Sequence, residues 1–430
     1  MINDARKIYQ SAIEACMPDS AVKRALRDFN LPKGKLILVS IGKAGYRMAK
    51  CAAEILGDKV TRGAVITKYG HSEGEIPGIK IFEAAHPVPD LAGVCATEQV
   101  LSMTEGLGAD DTVLFLVSGG GSALFESSYC SLDELKYITE KLLACGADIS
   151  EINTVRKHLS RVKGGRFAEH VYPAKIFAVV LSDVLGDRLD TIASGPACAD
   201  ISTADEAVGI LNKYGISVSE DIIEILSKET PKEIKNAEHT VSGSVRELCR
   251  AAMETAEQLG YRTQIIGDAE NGVAREVGKR LAALALEHED TDENLAYIIG
   301  GETVVHLLGS GLGGRNQEIA LAAAPIISGK NNIVVFSVGS DGTDGPTDAA
   351  GGIADGCTLE RMKLASVDPV KALDNNDSYH ALKSAGALII TGPTGTNVND
   401  VAVALVRRKS DTPRRFANLE RALNKNKSKV

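Results

Sequence analysis

The residues of this 430-residue chain that could do chemistry stand in short clusters, each soon after an apolar run. The fullest is Gly300 to Ala324, GGETVVHLLGSGLGGRNQEIALAAA. Gly313 and Gly314 lead there into Arg315, so loop N–H groups and a planar, permanently charged guanidinium would meet at a helix start. That combination suits a phosphate or a carboxylate. A second cluster, Ser118-Gly119-Gly120-Gly121-Ser122, follows the run TVLFLV. Three glycines let a chain fold tightly around an oxyanion, and two hydroxyls add donors. Lys43 lies between Gly42 and Gly45 where a strand pattern turns into a helical one, the position at which parallel α/β sheets bind ligands. A solvated loop lysine is the plainer reading of that segment alone.

Carboxylates occupy equivalent places. Asp183 directly follows KIFAVVL, so it would point into the crevice above a sheet, where it could hold a metal, orient a hydroxyl or anchor a lysine. Asp341, Asp344 and Asp348 are interleaved with Gly and Thr after NIVVFSV, as in a loop that offers oxygens to a hard cation. Their spacing fails the EF-hand pattern, and a Gly/Asp surface turn is the alternative. The stretch NTVRKHLSRVKGGR packs Arg156, Lys157, His158, Arg161, Lys163 and Arg166 into one run. In a helix Arg156, Ser160 and Lys163 would share a face. Such a run is either a solvated face closed by Gly164 and Gly165 or a functional anion site.

Cations and N–H groups that hold charge on oxygens, with carboxylates that orient a hydroxyl or hold Mg²⁺, are what phosphoryl transfer requires. No GxxxxGK[ST] is present, so this is no ordinary P-loop enzyme. Gly309-x-Gly311-x-x-Gly314 matches GxGxxG and keeps a nicotinamide oxidoreductase as a rival, although no acidic residue follows where a ribose partner is expected. Neither GxSxG nor HExxH occurs. A non-catalytic anion-binding protein is the third class, and it would not need so many carboxylates.

The elements that must position these groups are legible as patterns. Short buried strands are expected at 35–41, 63–67, 80–84, 112–117, 175–181, 263–266, 295–299, 332–338 and 387–390, with a returning strand at 303–308. Helices are expected at 46–56, along the stripe Val245, Leu248, Ala252, Ala256 and Leu259, from about Val273, from Arg315, and over Val401 to Val406. The length exceeds that at which one core stops growing, so two domains are expected. The Lys/Glu-rich stretch 227–236 reads as the linker, dividing the chain into 1–235 and 236–430, with the segment from about 380 a candidate to pack back on the first domain. The last twenty or so residues are basic and poorly periodic, a surface helix or a frayed tail.

Composition narrows the class. A net charge of −9 argues against a nucleic-acid face, and 4% aromatic residues without Trp argue against base stacking. Eight scattered cysteines show no zinc spacing and read as reduced in a cytoplasmic protein. No apolar run approaches bilayer length, so no membrane partner is expected.

Several longer motifs, SIGKAG, HPVPD, LVSGGGSAL, NTVRKHLSRVKGGR, LSDVLGD, GLGGRNQE, GSDGTDGPTDAAGG and TGPTGTNVND, together resemble the class II glycerate kinases, also called the MOFRL family. They run from residue 40 to about 405. The resemblance implies an α/β fold, with a Rossmann-like three-layer N-terminal domain, a second, smaller α/β domain and an active-site cleft between them. It implies formation of 2-phosphoglycerate from D-glycerate and ATP, with Mg²⁺. Some members were labelled hydroxypyruvate reductases. By motif, the family's catalytic lysine and arginine fall on Lys43 and Arg315. With them, Asp183 would position or deprotonate the glycerate hydroxyl, Ser118 to Ser122 with Gly313 and Gly314 would hold nucleotide phosphates, Arg156 or Arg161 would pair with the substrate carboxylate, and Asp341 and Asp344 would help hold the metal. A homodimer is admitted as the assembly.

Overall fold

The structure is a computed structural model and describes residues 1–409. The basic tail lies outside the described residues. The chain forms two units, one of Met17–Ser244 and one of Met1–Cys16 with the chain from Val245 onward.

The first unit is built on six strands, β1 (Leu36–Ile41), β2 (Val60–Lys68), β3 (Ile79–Ala84), β4 (Thr112–Val117), β5 (Lys175–Leu181) and β6 (Ala237–Gly243). They lie in the order β3-β2-β1-β4-β5-β6 and every pair is parallel. This is the doubly wound order of dinucleotide-binding folds, whose crevice opens where the order reverses, between β1 and β4. The strands read as unbroken apolar runs because both faces are covered. Ile37, Val39 and Ile41 of β1 pack on one face with Ala96 and Val100 of helix Leu91–Thr104 and with Phe115, Phe125 and Phe167. Leu36 and Leu38 pack on the other with Val22 of helix Pro18–Ala25 and Met48 of helix Gly45–Leu56. The three phenylalanine rings lie 5.1–6.0 Å apart, and removing one such ring would cost roughly 3–5 kcal/mol. Register sets the site: Ile41 pairs with Val117, and Val117 with Val180. The loops after β1, β4 and β5 therefore leave the sheet at one level.

The second unit carries β7 (Arg262–Glu270), β8 (Leu295–Gly301), β9 (Ile333–Gly339), β10 (Gly351–Asp355), β11 (Leu388–Ile389) and β12 (Asp400–Val406), in the order β11-β10-β9-β12-β8-β7. Only β7 and β8 run parallel among these pairs. Helix Ile2–Ala15 joins this unit, with Tyr9 edge-on to Phe336 at 5.9 Å and Asp4 accepting from Tyr261 at 2.8 Å.

Several expectations change. Residues 303–308 form no strand beyond a single bridge between Val273 and Val304, because both edges of β8 are already taken by β7 and β12. Val401 to Val406 is a strand, not a helix: alternating β-branched residues, all buried, fit a central strand between β8 and β9. Helix Ile149–Leu159 ends before Ser160, whose backbone is extended, so Arg156, Ser160 and Lys163 do not share a helical face. The division between units falls at Ser244/Val245, since β6 completes the parallel sheet beyond the 227–236 stretch. The chain after 380 supplies β11 and β12 to the second sheet.

Candidate active site

In the first unit, the loops after β1 and β4 are tied together. Gly42 has φ +109° and a Cβ there would lie 2.3 Å from the Ser118 carbonyl oxygen, so only glycine fits. The Lys43 amide donates to the Gly119 carbonyl at 2.9 Å. The Ser118 hydroxyl accepts from the Ala44 amide at 3.1 Å and donates to the Ile41 carbonyl at 3.2 Å. That hydroxyl is therefore part of the frame. At Gly119 a Cβ would meet an Asp183 carboxylate oxygen at 2.3 Å. At Gly120, φ +89°, it would meet the His86 ring at 3.0 Å and Lys43 Cγ at 3.3 Å. The two glycines thus let Asp183, His86 and Lys43 converge on one loop. Ser122 continues that loop, its hydroxyl 2.9 Å from that of Ser194.

The basic run supports this loop from behind. Arg156 donates to the Ser122 carbonyl at 3.0 Å and stands 3.9 Å from Glu126, while its buried Nε has no hydrogen-bond partner among the described residues. Lys163 is fully buried, 2.9 Å from Glu126 and donating to the Phe125 carbonyl at 2.8 Å. Burial pushes its ammonium down to about 8 against the pull of Glu126. Ser160 donates to the other Glu126 oxygen at 2.7 Å. Arg161, by contrast, is half-exposed and engaged with Glu98 at 2.7 Å and the Ser127 hydroxyl at 3.3 Å.

In the second unit, Arg315 opens helix Arg315–Ala323. Its Nε and Nη2 both donate to Asp400, and Nη1 donates to Glu302 at 3.1 Å. Burial alone would lower the guanidinium's affinity for its proton; Asp400 and Glu302 outweigh it, and the group is held above its ordinary value. Burial raises Asp400 despite Arg315. Asp344 is buried at the start of the same helix, where its two oxygens accept the amides of Asn316 at 3.1 Å and Gln317 at 2.8 Å. It satisfies donors the helix cannot pair internally, as a capping side chain does, from a distant loop. Burial pushes its carboxyl up to about 6. Asp341 accepts from the amide and hydroxyl of Thr343 at 2.9 and 3.0 Å, an Asx-type turn. Among the described residues no group of three or more His, Cys, Asp or Glu side chains could hold a metal ion.

The glycine-rich loop has a different reason for its glycines than the one expected. A Cβ at Gly309 or Gly311 would run into Asn375 or Asp377, at Gly313 into Ser378 Oγ at 2.1 Å, and at Gly314 into Asp344 at 2.3 Å. The amides of Leu308 and Gly309 donate to Asn376 Oδ1 at 2.7 and 2.9 Å, and that of Leu312 to Asp377 Oδ1 at 3.1 Å. Protein side chains thus occupy the amides of Leu308, Gly309 and Leu312, and the glycines of GxGxxG allow this close packing. Sequence reasoning singles out neither Asp400 nor His86; both lie within quoted motifs, at the end of TGPTGTNVND and the start of HPVPD.

Residues 4–227 match a family described as a domain of unknown function, DUF4147, and residues 295–400 match the MOFRL family. The chain is 52% identical to D-glycerate 2-kinase of Thermotoga maritima over 94% of its length and 97% of that protein's. The chain belongs to the MOFRL family of glycerate 2-kinases. A glycerate 2-kinase of Pyrococcus horikoshii is 38% identical, with 94% and 97% of the two chains covered. The crystal structure of the Thermotoga maritima glycerate kinase superposes with a TM-score of 0.90, covering 94% of this chain and 99% of that one. The MOFRL match spans Arg315, Asp344 and Asp400, and the other spans Lys43, Asp183 and the Ser118–Ser122 loop. Among the described residues no helix is long and apolar enough to cross a membrane.

Proposed function

We propose that this protein transfers the γ-phosphoryl group of Mg-ATP to the 2-hydroxyl of D-glycerate, giving 2-phosphoglycerate and ADP. The observation that carries the reading is 52% identity to a D-glycerate 2-kinase across nearly the whole of both chains. The geometry supports it. In the first unit a lysine, a carboxylate and a glycine loop meet at the switch point of a doubly wound sheet, where such folds bind phosphorylated ligands.

Each residue then has a role as a proposal. Lys43 neutralises charge on the transferring phosphoryl group, the Ser118–Ser122 loop holds nucleotide phosphates, and Asp183, against Gly119, orients or deprotonates the acceptor hydroxyl. Arg315, kept charged and aimed by Asp400 and Glu302, is the second neutralising cation. Of the two candidate arginines for the substrate carboxylate, Arg156 is favoured because it is tied to Ser122, whereas Arg161 is held on Glu98. Gly313 and Gly314, leading into the helix that Arg315 opens, help to hold phosphate beside it. Asp344 is buried with both oxygens on helix amides, whereas Asp341 is partly exposed and bonded within its own turn, so Asp341 is the better protein ligand for Mg²⁺. The metal would come chiefly on the nucleotide, where it shields charge on the phosphate oxygens. The eight cysteines, scattered and without zinc spacing, suit a reducing, cytoplasmic setting.

The deciding experiment is a coupled assay with D-glycerate and Mg-ATP that identifies the phosphoglycerate isomer, run beside NADH oxidation with hydroxypyruvate. ATP-dependent formation of 2-phosphoglycerate is expected. Turnover of NADH without consumption of ATP would overturn the reading in favour of a reductase.

A further inference from the structure

We propose that His86 is a direct ligand of the phosphate group carried by the Ser118–Ser122 loop, donating a hydrogen bond beside Lys43. The inference rests on the assignment of that loop to nucleotide phosphate.

Four observations lead to it. First, position: His86 lies two residues beyond β3, an edge strand, yet its ring reaches the loop after β4, on the far side of β2 and β1 in the sheet order. A residue that served only its own end of the sheet would not be carried across it. Second, contact: the point where a Gly120 Cβ would stand is 3.0 Å from His86 Cδ2, 3.2 Å from Nε2 and 3.3 Å from Lys43 Cγ. The imidazole nitrogen and the lysine stem therefore flank the same glycine, and any side chain there would displace both. Gly120 is also in the left-handed region, so the loop's shape and the approach of His86 demand the same residue.

Third, charge: among the described residues the titratable groups that act on His86 are Lys43 on the loop after β1, Lys68 at the end of β2 and His71 beyond it, all bases. His71 is anchored there, its Nδ1 3.1 Å from the Lys43 carbonyl. Burial first, and then these cations, hold the His86 imidazole below its ordinary value. A half-buried base flanked by these bases gains from an anion placed among them. Fourth, anchorage: Asp90, four residues on, caps helix Leu91–Thr104 through the Gly93 amide at 2.9 Å and accepts from Tyr69 at 2.8 Å. The segment bearing His86 is thus fastened to the body of the unit, which preorganises the ring.

The test compares His86→Ala, His86→Gln and His86→Phe in the full-length protein, by calorimetric binding of Mg-ADP and by steady-state kinetics. Glutamine keeps an N–H near the place of Nε2; phenylalanine keeps the ring and loses the donor. H86A and H86F should weaken Mg-ADP binding by about tenfold or more and raise KM for ATP, with H86Q recovering a large part. Unchanged thermal midpoints would establish that the variants fold. A mere packing role predicts the opposite order, with H86F rescuing and H86Q failing, and that order overturns the proposal. So does unchanged Mg-ADP binding in H86A. Because binding is read without turnover, a wild-type protein that binds Mg-ADP but leaves D-glycerate untouched overturns the glycerate assignment alone. A wild-type protein that binds no Mg-ADP overturns both.

Discussion

Asp400 grips Arg315 by two of its guanidinium nitrogens, Nε and Nη2, from the first, buried residue of β12. A fork held bidentately has its plane fixed, so Nη1 and the open edge have a defined direction. If Arg315 neutralises charge on the transferring phosphoryl group, Arg315→Ala should lower kcat by ~10³-fold or more. Asp400→Asn keeps the shape but gives up one acceptor and the charge, and a fall of roughly 10-fold to 100-fold in kcat, with a smaller change in KM, is expected. A loss below tenfold for Arg315→Ala in a protein of unchanged thermal midpoint rejects the role.

Lys43 supplies a point charge on a stem packed beside Gly120. Lys43→Ala should cost ~10³-fold in kcat, and Lys43→Arg should restore little, because a planar fork does not replace a compact ammonium in a slot shaped by glycines. Single-turnover measurements with Mg-ATP would separate the chemical step from product release. Full activity in Lys43→Arg would mean that charge alone, without placement, suffices.

Much of the first unit can be read from its sequence because its strands are buried on both faces. Runs such as TVLFLV and KIFAVVL announce themselves, and the residues just after a parallel strand emerge at the ligand-binding edge. Lys43, Ser118 to Ser122 and Asp183 are found on that logic. The second unit yields less. VAVALV carries the same apolarity as a short helix, and only pairing with β8 and β9 decides its state. The partner of Arg315 lies 85 residues away, and the side chains that fill the glycine loop come from Asn375 to Asp377. Such tertiary contacts leave no periodic trace. The basic run is ambiguous for a related reason, since its cations serve Glu126 and backbone carbonyls that no spacing rule connects to them.

Asp344 makes a pH prediction. Folding raises its carboxyl from an ordinary 3.8 to about 6, through burial. The folded state therefore binds this proton more tightly than the unfolded chain, and stability from the group is fully present below about pH 4 and lost as pH rises through about 6. Asp344→Asn removes the titration. The difference in unfolding free energy between wild type and this variant should shrink by roughly 3 kcal/mol at most between pH 4 and pH 7, then level off. A difference that stays flat across that window, measured by denaturant titration, would sink the assignment. The acid side also bears on activity. Once protonated, Asp344 is a weaker acceptor for the Asn316 and Gln317 amides, so kcat should fall as pH drops below about 6.

The Lys163–Glu126 pair underlies the phosphate loop, and both side chains are fully buried. Removing one member of such a pair leaves the other charged and poorly compensated, here with only Arg156 at 3.9 Å and Ser160 left to Glu126 among the described residues, at a cost of up to about 3–5 kcal/mol, whereas replacing both with neutral groups of similar volume is far less damaging. Lys163→Met should therefore destabilise strongly, and Glu126→Gln in the same chain should recover much of the loss. The recovery will be incomplete, because Lys163 also donates to the Phe125 carbonyl and Ser160 donates to Glu126. Urea titrations of the two single variants and the double variant give the coupling directly. Two single effects that simply add would show that the pair contributes nothing as a pair, and that the loop is held up by Arg156 and the phenylalanine cluster instead.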